Sequence, residues 1–160
     1  GYGVKWTEKQ AKGYIDQFYK HYRGVRRWKT SLERKIRMYG YVDDCFGRRR
    51  RAPGIKDMSI EKWKRESMVR SLVNFTIQSP AATLLKRSIV RVNKLLREEN
   101  AKTQMFLNVH DEIAFYLHQD EFSLLPEIVH EMQEWDFSIP ILVDVDWSDK
   151  SWGDKRGLYD

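Results

Sequence analysis

Cysteine is almost absent from this chain. Cys45 stands alone, which excludes an internal disulfide framework and a cysteine zinc site and fits a reducing, cytoplasmic setting. None of the four histidines falls at zinc-ligand spacing with a carboxylate, so no zinc site is expected. No apolar run approaches the roughly 18 residues of a membrane span, no stretch reads as a signal peptide, and no membrane partner is expected. Repeats, low-complexity tracts and Pro/Gly-rich linkers are missing too. What is present is a hydrophobic content of 41% with six Trp, which argues against disorder. The 29 basic residues against 23 acidic give +6, compatible with a polyanion partner. Residues 1–160 suit one domain with a real core, or one piece of a larger domain.

Thr7-Glu8-Lys9-Gln10 is a capping-box pattern, and Ala11, Tyr14, Ile15, Phe18 and Tyr22 recur behind it at helical spacing. This predicts a helix over about 7–22, broken by Gly24, and a second over about 25–38 with Val25, Trp28, Leu32 and Ile36 on one face. Residues 40–54 switch to strand and turn signals, with a bend at Gly47. Ser59 is placed to cap a long helix to about Ile77. Ser79-Pro80 then reads as a fresh N-cap with Pro at the first helical position. The next helix carries Leu84, Leu85, Ile89, Val92, Leu95 and Leu96, and Asn100 ends it. Two β-rich runs follow, then a helix from Asp120 to about Glu134. A closing strand is predicted over Ile139–Asp146, with a polar tail from Trp147 that is only partly ordered.

The chemistry concentrates at three places. Gln104–Ile113 delivers His110, Asp111 and Glu112 together at a hairpin tip, where a carboxylate can leave the core and meet a metal ion. Buried in mid-strand it would cost several kcal/mol unless paired. A polar turn is the competing reading. Arg70, Asn74 and Gln78, at i, i+4 and i+8, form one slowly drifting polar stripe about 12 Å long on a helix. Such side chains can donate to purine N3 and pyrimidine O2, minor-groove acceptors that all four base pairs share. A solvated helix face is the alternative. Arg48, Arg49, Arg50 and Arg51 follow a turn glycine; four guanidiniums cannot share one core site, so they are solvated or paired with anions, and phosphate suits the planar fork.

Three blocks in this order resemble DNA polymerase family A, the polymerase I type. His110-Asp111-Glu112 between apolar strands resembles the family's palm hairpin. Arg70-Ser-Leu-Val-Asn74-Phe-Thr-Ile-Gln78-Ser-Pro-Ala-Ala-Thr-Leu-Leu-Lys86 resembles its R-x-x-x-N-x-x-x-Q-G-T-A-A-D-x-x-K segment, with Ser79, Pro80 and Thr83 as departures. Gly40-Tyr-Val-Asp-Asp-Cys-Phe-Gly47-Arg48-Arg49-Arg50 resembles G-Y-V-x-T-x-x-G-R-R-R, with Asp44 where Thr is usual. Ala11–Trp28 also resembles the family's helix pair after its nucleotide-binding helix, so the likeness spans about residues 4–146.

The resemblance implies a single α+β unit: helices packed on a small antiparallel sheet that contains the palm hairpin. About 4–39 would be a helical fingers part and 40–160 a palm part. It implies that Asp111 binds metal, Glu112 supports it and His110 touches the primer end. Arg70, Asn74 and Gln78, with Lys86 and the Arg48–Arg50 run, would contact DNA. The implied partners are primer–template DNA, dNTP and two Mg²⁺ ions. The D-Y-S-x-x-E-x-R block with the other metal-binding Asp is missing, and so is the nucleotide-gripping helix, of which Gly1–Gly3 are at most the aftermath. Asp144 and Asp146 share a strand face and are read as structural or solvated, not as replacements for that Asp. The expectation is therefore a piece of a DNA polymerase, either excised or one subunit of a split, phage-encoded enzyme. It should be inactive until the remaining segment or chain is supplied. The alternative is a non-catalytic basic DNA- or RNA-binding module derived from a polymerase.

Overall fold

The computed structural model describes residues 6–158. It is an α+β fold of four α-helices and three two-stranded antiparallel sheets among the described residues. These residues fall into two compact units, one up to Pro80 and one from Ala81. Among them no helix is long and apolar enough to cross a membrane.

The first unit opens with α1 (Glu8–His21). Its capping box forms as the pattern predicts: the Thr7 hydroxyl accepts from the Gln10 amide at 3.3 Å, and Gln10 Oε1 accepts from the Thr7 amide at 3.0 Å. The break falls at Tyr22, whose ψ of 66° is not helical. Gly24, predicted to break the chain, lies inside α2 (Arg23–Tyr39), because a helix tolerates Gly for about 1 kcal/mol. Gly40 ends α2 in the left-handed region, φ 74°, and its amide returns to the Ile36 carbonyl at 2.8 Å. β1 (Tyr41–Asp43) pairs with β2 (Arg49–Arg51), with Val42 opposite Arg50. Ile36, Val42, Ala52, Ile55, Val69, Leu72 and Val73 form the core of this unit. Each Val, Leu or Ile side chain of this core stabilises by roughly 1.5–3 kcal/mol when fully buried.

α3 runs unbroken from Lys62 to Glu98 with Pro80 inside it, where the dipeptide predicted a second helix start. The Ser79 hydroxyl is not a cap. It donates to the Asp44 carboxylate at 2.6 Å. Ser59 is not a cap either: its amide and hydroxyl both donate to Asp57 Oδ1, and α3 starts after Glu61, whose carbonyl accepts from Lys64 and Arg65.

In the second unit, Val92 and Leu96 of α3 pack with Ile128 of α4 (Leu125–Gln133). Met105 and Phe115 lean on that cluster from β3 (Gln104–Val109) and β4 (Glu112–Tyr116). The predicted Asp120 cap is replaced by His118, whose Nδ1 accepts from the Asp120 amide at 3.3 Å, and a 3-10 segment (Gln119–Leu124) precedes α4. The predicted strand over Ile139–Asp146 reduces to β5 (Asp146–Trp147), paired with β6 (Arg156–Gly157). Residues 139–145 have no ladder partner, although Ile141, Val143 and Val145 are half-buried in alternation with the exposed Leu142 and Asp144. The tail expected to be partly ordered instead carries a 3-10 turn (Trp152–Asp154) and β6.

Candidate functional site

β3 and β4 close as a hairpin with Val109 opposite Glu112, which leaves His110 and Asp111 as a two-residue tip; Glu112, expected at the tip with them, is already the first residue of β4 because it pairs with Val109. The ladder slips between Met105 and Leu107, a bulge at Phe106, whose ring stacks on Tyr116 at 4.0 Å. His110 has φ 53°. Tight hairpins usually place Gly at such a position, and an ordinary residue in the left-handed region costs roughly 1–2 kcal/mol. Strained backbone positions of this kind occur at tight turns and cluster at active sites.

The two carboxylates of this segment differ. Asp111 is exposed and makes no hydrogen bond or ion pair among the described residues. Glu112 is held: Lys155 Nζ donates to its Oε1 at 2.9 Å, and its backbone carbonyl accepts from Asn108 Nδ2 at 2.9 Å. No group of three or more His, Cys, Asp or Glu among the described residues is placed to hold a metal ion. Asp111 therefore fits a divalent cation as one oxygen ligand of a set completed by other residues, and not as a whole site.

Arg70, Asn74 and Gln78 all lie on the exposed side of α3, away from the buried Val69, Leu72 and Val73. None of the three makes a hydrogen bond or ion pair among the described residues, although the Arg70 charge acts on Glu66 one turn earlier. The stripe is thus open to a partner along its length. Lys86 is also exposed on α3, in the second unit.

The arginine run is not uniform. Arg49 grips Asp43 through Nε at 2.7 Å and Nη2 at 3.2 Å and lies over the Tyr41 ring at 3.9 Å. That hydrogen bond, with the surrounding positive charge, lowers the Asp43 pKa. Arg50 shares a sheet face with Val42 and sits 5.8 Å from the Phe75 ring centre, its stem covering the core. Arg48 is exposed, and its guanidinium has no hydrogen-bond partner among the described residues.

The turn that presents Arg48 is built on Asp44. Its Oδ1 accepts from the Phe46 and Arg48 amides, both at 2.9 Å, while Oδ2 takes the Ser79 hydroxyl. Burial alone would raise the Asp44 pKa. The hydrogen bonds from Ser79, Arg48 and Phe46, with the Arg48 charge, outweigh it and leave the pKa lowered.

A model of DNA polymerase family A matches residues 2–154. The chain belongs to DNA polymerase family A. It is 30% identical over 148 residues to DNA polymerase I of Lactococcus lactis subsp. cremoris, covering 91% of this chain and 16% of that protein. To DNA polymerase I of Bacillus subtilis it is 28% identical over 151 residues, covering 94% of this chain and 17% of that one. The solved POL domain of Pol1 from M. smegmatis, in complex with DNA primer-template and dNTP, aligns with a TM-score of 0.77 at 25% identity. That alignment covers 84% of this chain and 24% of the other. This family A chain therefore spans only a minor part of the curated relatives it matches.

Three polar anchors of the family A chain escaped the sequence reading. Besides Asp44–Ser79 and Lys155–Glu112, Glu121 pins the start of β3. Its Oε1 accepts from the Lys102 amide at 2.8 Å, and its Oε2 accepts from the Thr103 amide at 2.8 Å and the Thr103 hydroxyl at 2.6 Å. The Thr103 hydroxyl and these amides bring its pKa down to about 2. The contacts span 18 to 43 residues, so no local pattern announces them.

Proposed function

We propose that this chain supplies one part of the active site of a DNA-directed DNA polymerase, which extends a primer 3′ end by dNMP from dNTP on a DNA template. The observation that carries the reading is the exposed, partnerless Asp111 at the hairpin tip of a family A chain. The primer 3′-oxygen attacks the α-phosphorus of the dNTP and pyrophosphate leaves. Two Mg²⁺ ions, once bound, would supply stabilisation of the charge on the attacking and leaving oxygens. Asp111 is the ligand this chain offers them. His110 lies beside the primer end, and Glu112 supports Asp111 without itself joining the metal ligands.

Arg70, Asn74 and Gln78 follow the minor groove of the primer–template and check duplex shape without reading sequence. Arg48 meets backbone phosphate, with Arg49 and Arg50 behind it and Lys86 further along α3. About 4–39 serve as part of the fingers, described from Trp6 on, and 40–160 as part of the palm. The second metal-binding Asp and the nucleotide-gripping helix belong to the remaining segment or chain. The exposed Tyr14, Ile15, Phe18 and Tyr22 on α1 support an apolar partner surface there.

The test is primer extension by this chain together with a family A segment that carries the second Asp. Synthesis is expected with both and not with either alone. Asp111→Ala should lower it by about 10²-fold or more while leaving DNA binding within a few-fold. Undiminished synthesis by the Asp111→Ala assembly overturns the reading. DNA binding that is indifferent to metal, with no synthesis alongside any such segment, favours the non-catalytic nucleic-acid-binding module.

A further inference from the structure

Lys155 lies one residue past the family match, between the 3-10 turn Trp152–Asp154 and β6. Three groups converge on its ammonium: Glu112 Oε1 at 2.9 Å, Asp146 Oδ2 at 3.8 Å and the Trp152 ring at 4.8 Å. The side chain is 28% exposed and that of Glu112 41% exposed. Ion pairs this open to water stabilise a fold by only about 0–1 kcal/mol. The arrangement matters through where it holds Glu112 and not through how much it adds to stability. Next to it, Asp111 has no cation of its own among the described residues.

We propose that Lys155 is a positioning residue: it draws the Glu112 carboxylate toward β5 and β6 and leaves Asp111 as the single carboxylate that the tip offers a divalent cation. This rests on reading Asp111 as a metal ligand. Adjacent carboxylates at a tip are a chelating hazard, because ligand number and charge set divalent-cation affinity. A second carboxylate closing on the ion would tighten binding and move the ion away from the position Asp111 alone gives it. A fixed ammonium prevents this, since moving Glu112 to the ion breaks its charge-assisted bond.

The experiment titrates Mn²⁺ into the 160-residue chain and follows paramagnetic broadening of the amide signals of residues 109–113. In the wild type, broadening should centre on Asp111. In Lys155→Met it should spread to Glu112, and the midpoint Mn²⁺ concentration should fall by about threefold or more. Lys155→Arg, which keeps the cation, should stay close to wild type. The gain should vanish in Lys155→Met/Glu112→Gln, because the second carboxylate is gone. A gain that survives in that double variant means simple loss of a positive charge and overturns the positioning role. So does a Lys155→Met titration identical to wild type. Should Lys155→Met fail to fold, Lys155→Gln takes its place under the same criteria. If no variant shows broadening at Asp111 even when a family A segment carrying the second Asp is present, the metal reading itself fails and takes this role with it. Broadening at Asp111 that Lys155→Met leaves unchanged removes this role alone.

Discussion

Ser79 donates its hydroxyl to Asp44 at 2.6 Å, and these are two of the positions where the chain departs from its family's blocks, Gly and Thr being usual there. The two departures bond to each other. The bond ties the turn presenting Arg48 to the α3 position next to Gln78.

Ser79→Ala should destabilise by about 1.5–3 kcal/mol, the range for a hydrogen bond to a charged group. Asp44 is only 7% exposed, so solvent screens little of this. Asp44→Thr and Ser79→Gly should each destabilise alone, yet be non-additive together by at least about 0.5 kcal/mol in urea unfolding. The Asp44 pKa is lowered on folding. Its contribution is therefore present above the unfolded value near 3.9 and is lost as pH falls through the folded value. Strict additivity would mean that the bond carries no coupling.

Gln78→Ala should weaken primer–template binding about equally on AT-rich and GC-rich duplexes, since the acceptors it would meet are common to all base pairs. Fluorescence anisotropy on matched duplexes tests this in the assembled enzyme. A loss confined to one base composition would contradict the shape-checking role.

His110→Gly separates folding from chemistry. Relief of a left-handed strain of roughly 1–2 kcal/mol is offset by glycine's entropy penalty of roughly 0.5–1 kcal/mol. Thermal unfolding should stay near wild type or rise slightly, while primer extension falls. Unchanged extension would show that the strained histidine has no part in the reaction.

Glu121 predicts an acid-sensitive hairpin. Its folded pKa of about 2 lies below the ordinary carboxylate value, so its anchoring of Lys102 and Thr103 is complete above about pH 4.5 and disappears as pH falls toward 2. The stability lead of the wild type over Glu121→Gln should be largest at neutral pH and shrink through that window in urea titrations. A lead independent of pH would rule out the charged form as the anchor.

Local patterns read well where the controlling interaction is local. The Thr7–Gln10 box and the hairpin turn at His110–Asp111 lie within a few residues of the signal that predicts them. Ser79-Pro80 misled for the opposite reason. A serine before proline is a cap only where a helix begins, and here α3 continues through Pro80 while the Ser79 hydroxyl donates to Asp44, 35 residues earlier. The run over 139–145 failed similarly: alternation predicts a strand only where a neighbouring strand accepts its hydrogen bonds. Within the site, the arginines looked equivalent, yet alternation on β2 sends Arg49 to Asp43 and Arg50 toward Phe75, while the guanidinium of Arg48, in the turn before β2, has no hydrogen-bond partner among the described residues. The positions of the stripe and the tip were legible; the counter-charge at Lys155 was not.

α1 has 14 residues and buries none of them. A helix of that length is marginal in water without tertiary packing, and its capping box is a small part of what it needs. Its amides should therefore exchange hydrogen through local opening orders of magnitude faster than those around Val69 and Val92, which are fully buried. Any chain that covers Tyr14, Phe18 and Tyr22 binds a helix it must first make permanent, so part of its contact energy goes into ordering and the observed affinity understates the contact. Slowed exchange in α1 on adding a candidate segment would then be a more sensitive sign of assembly than the binding constant itself.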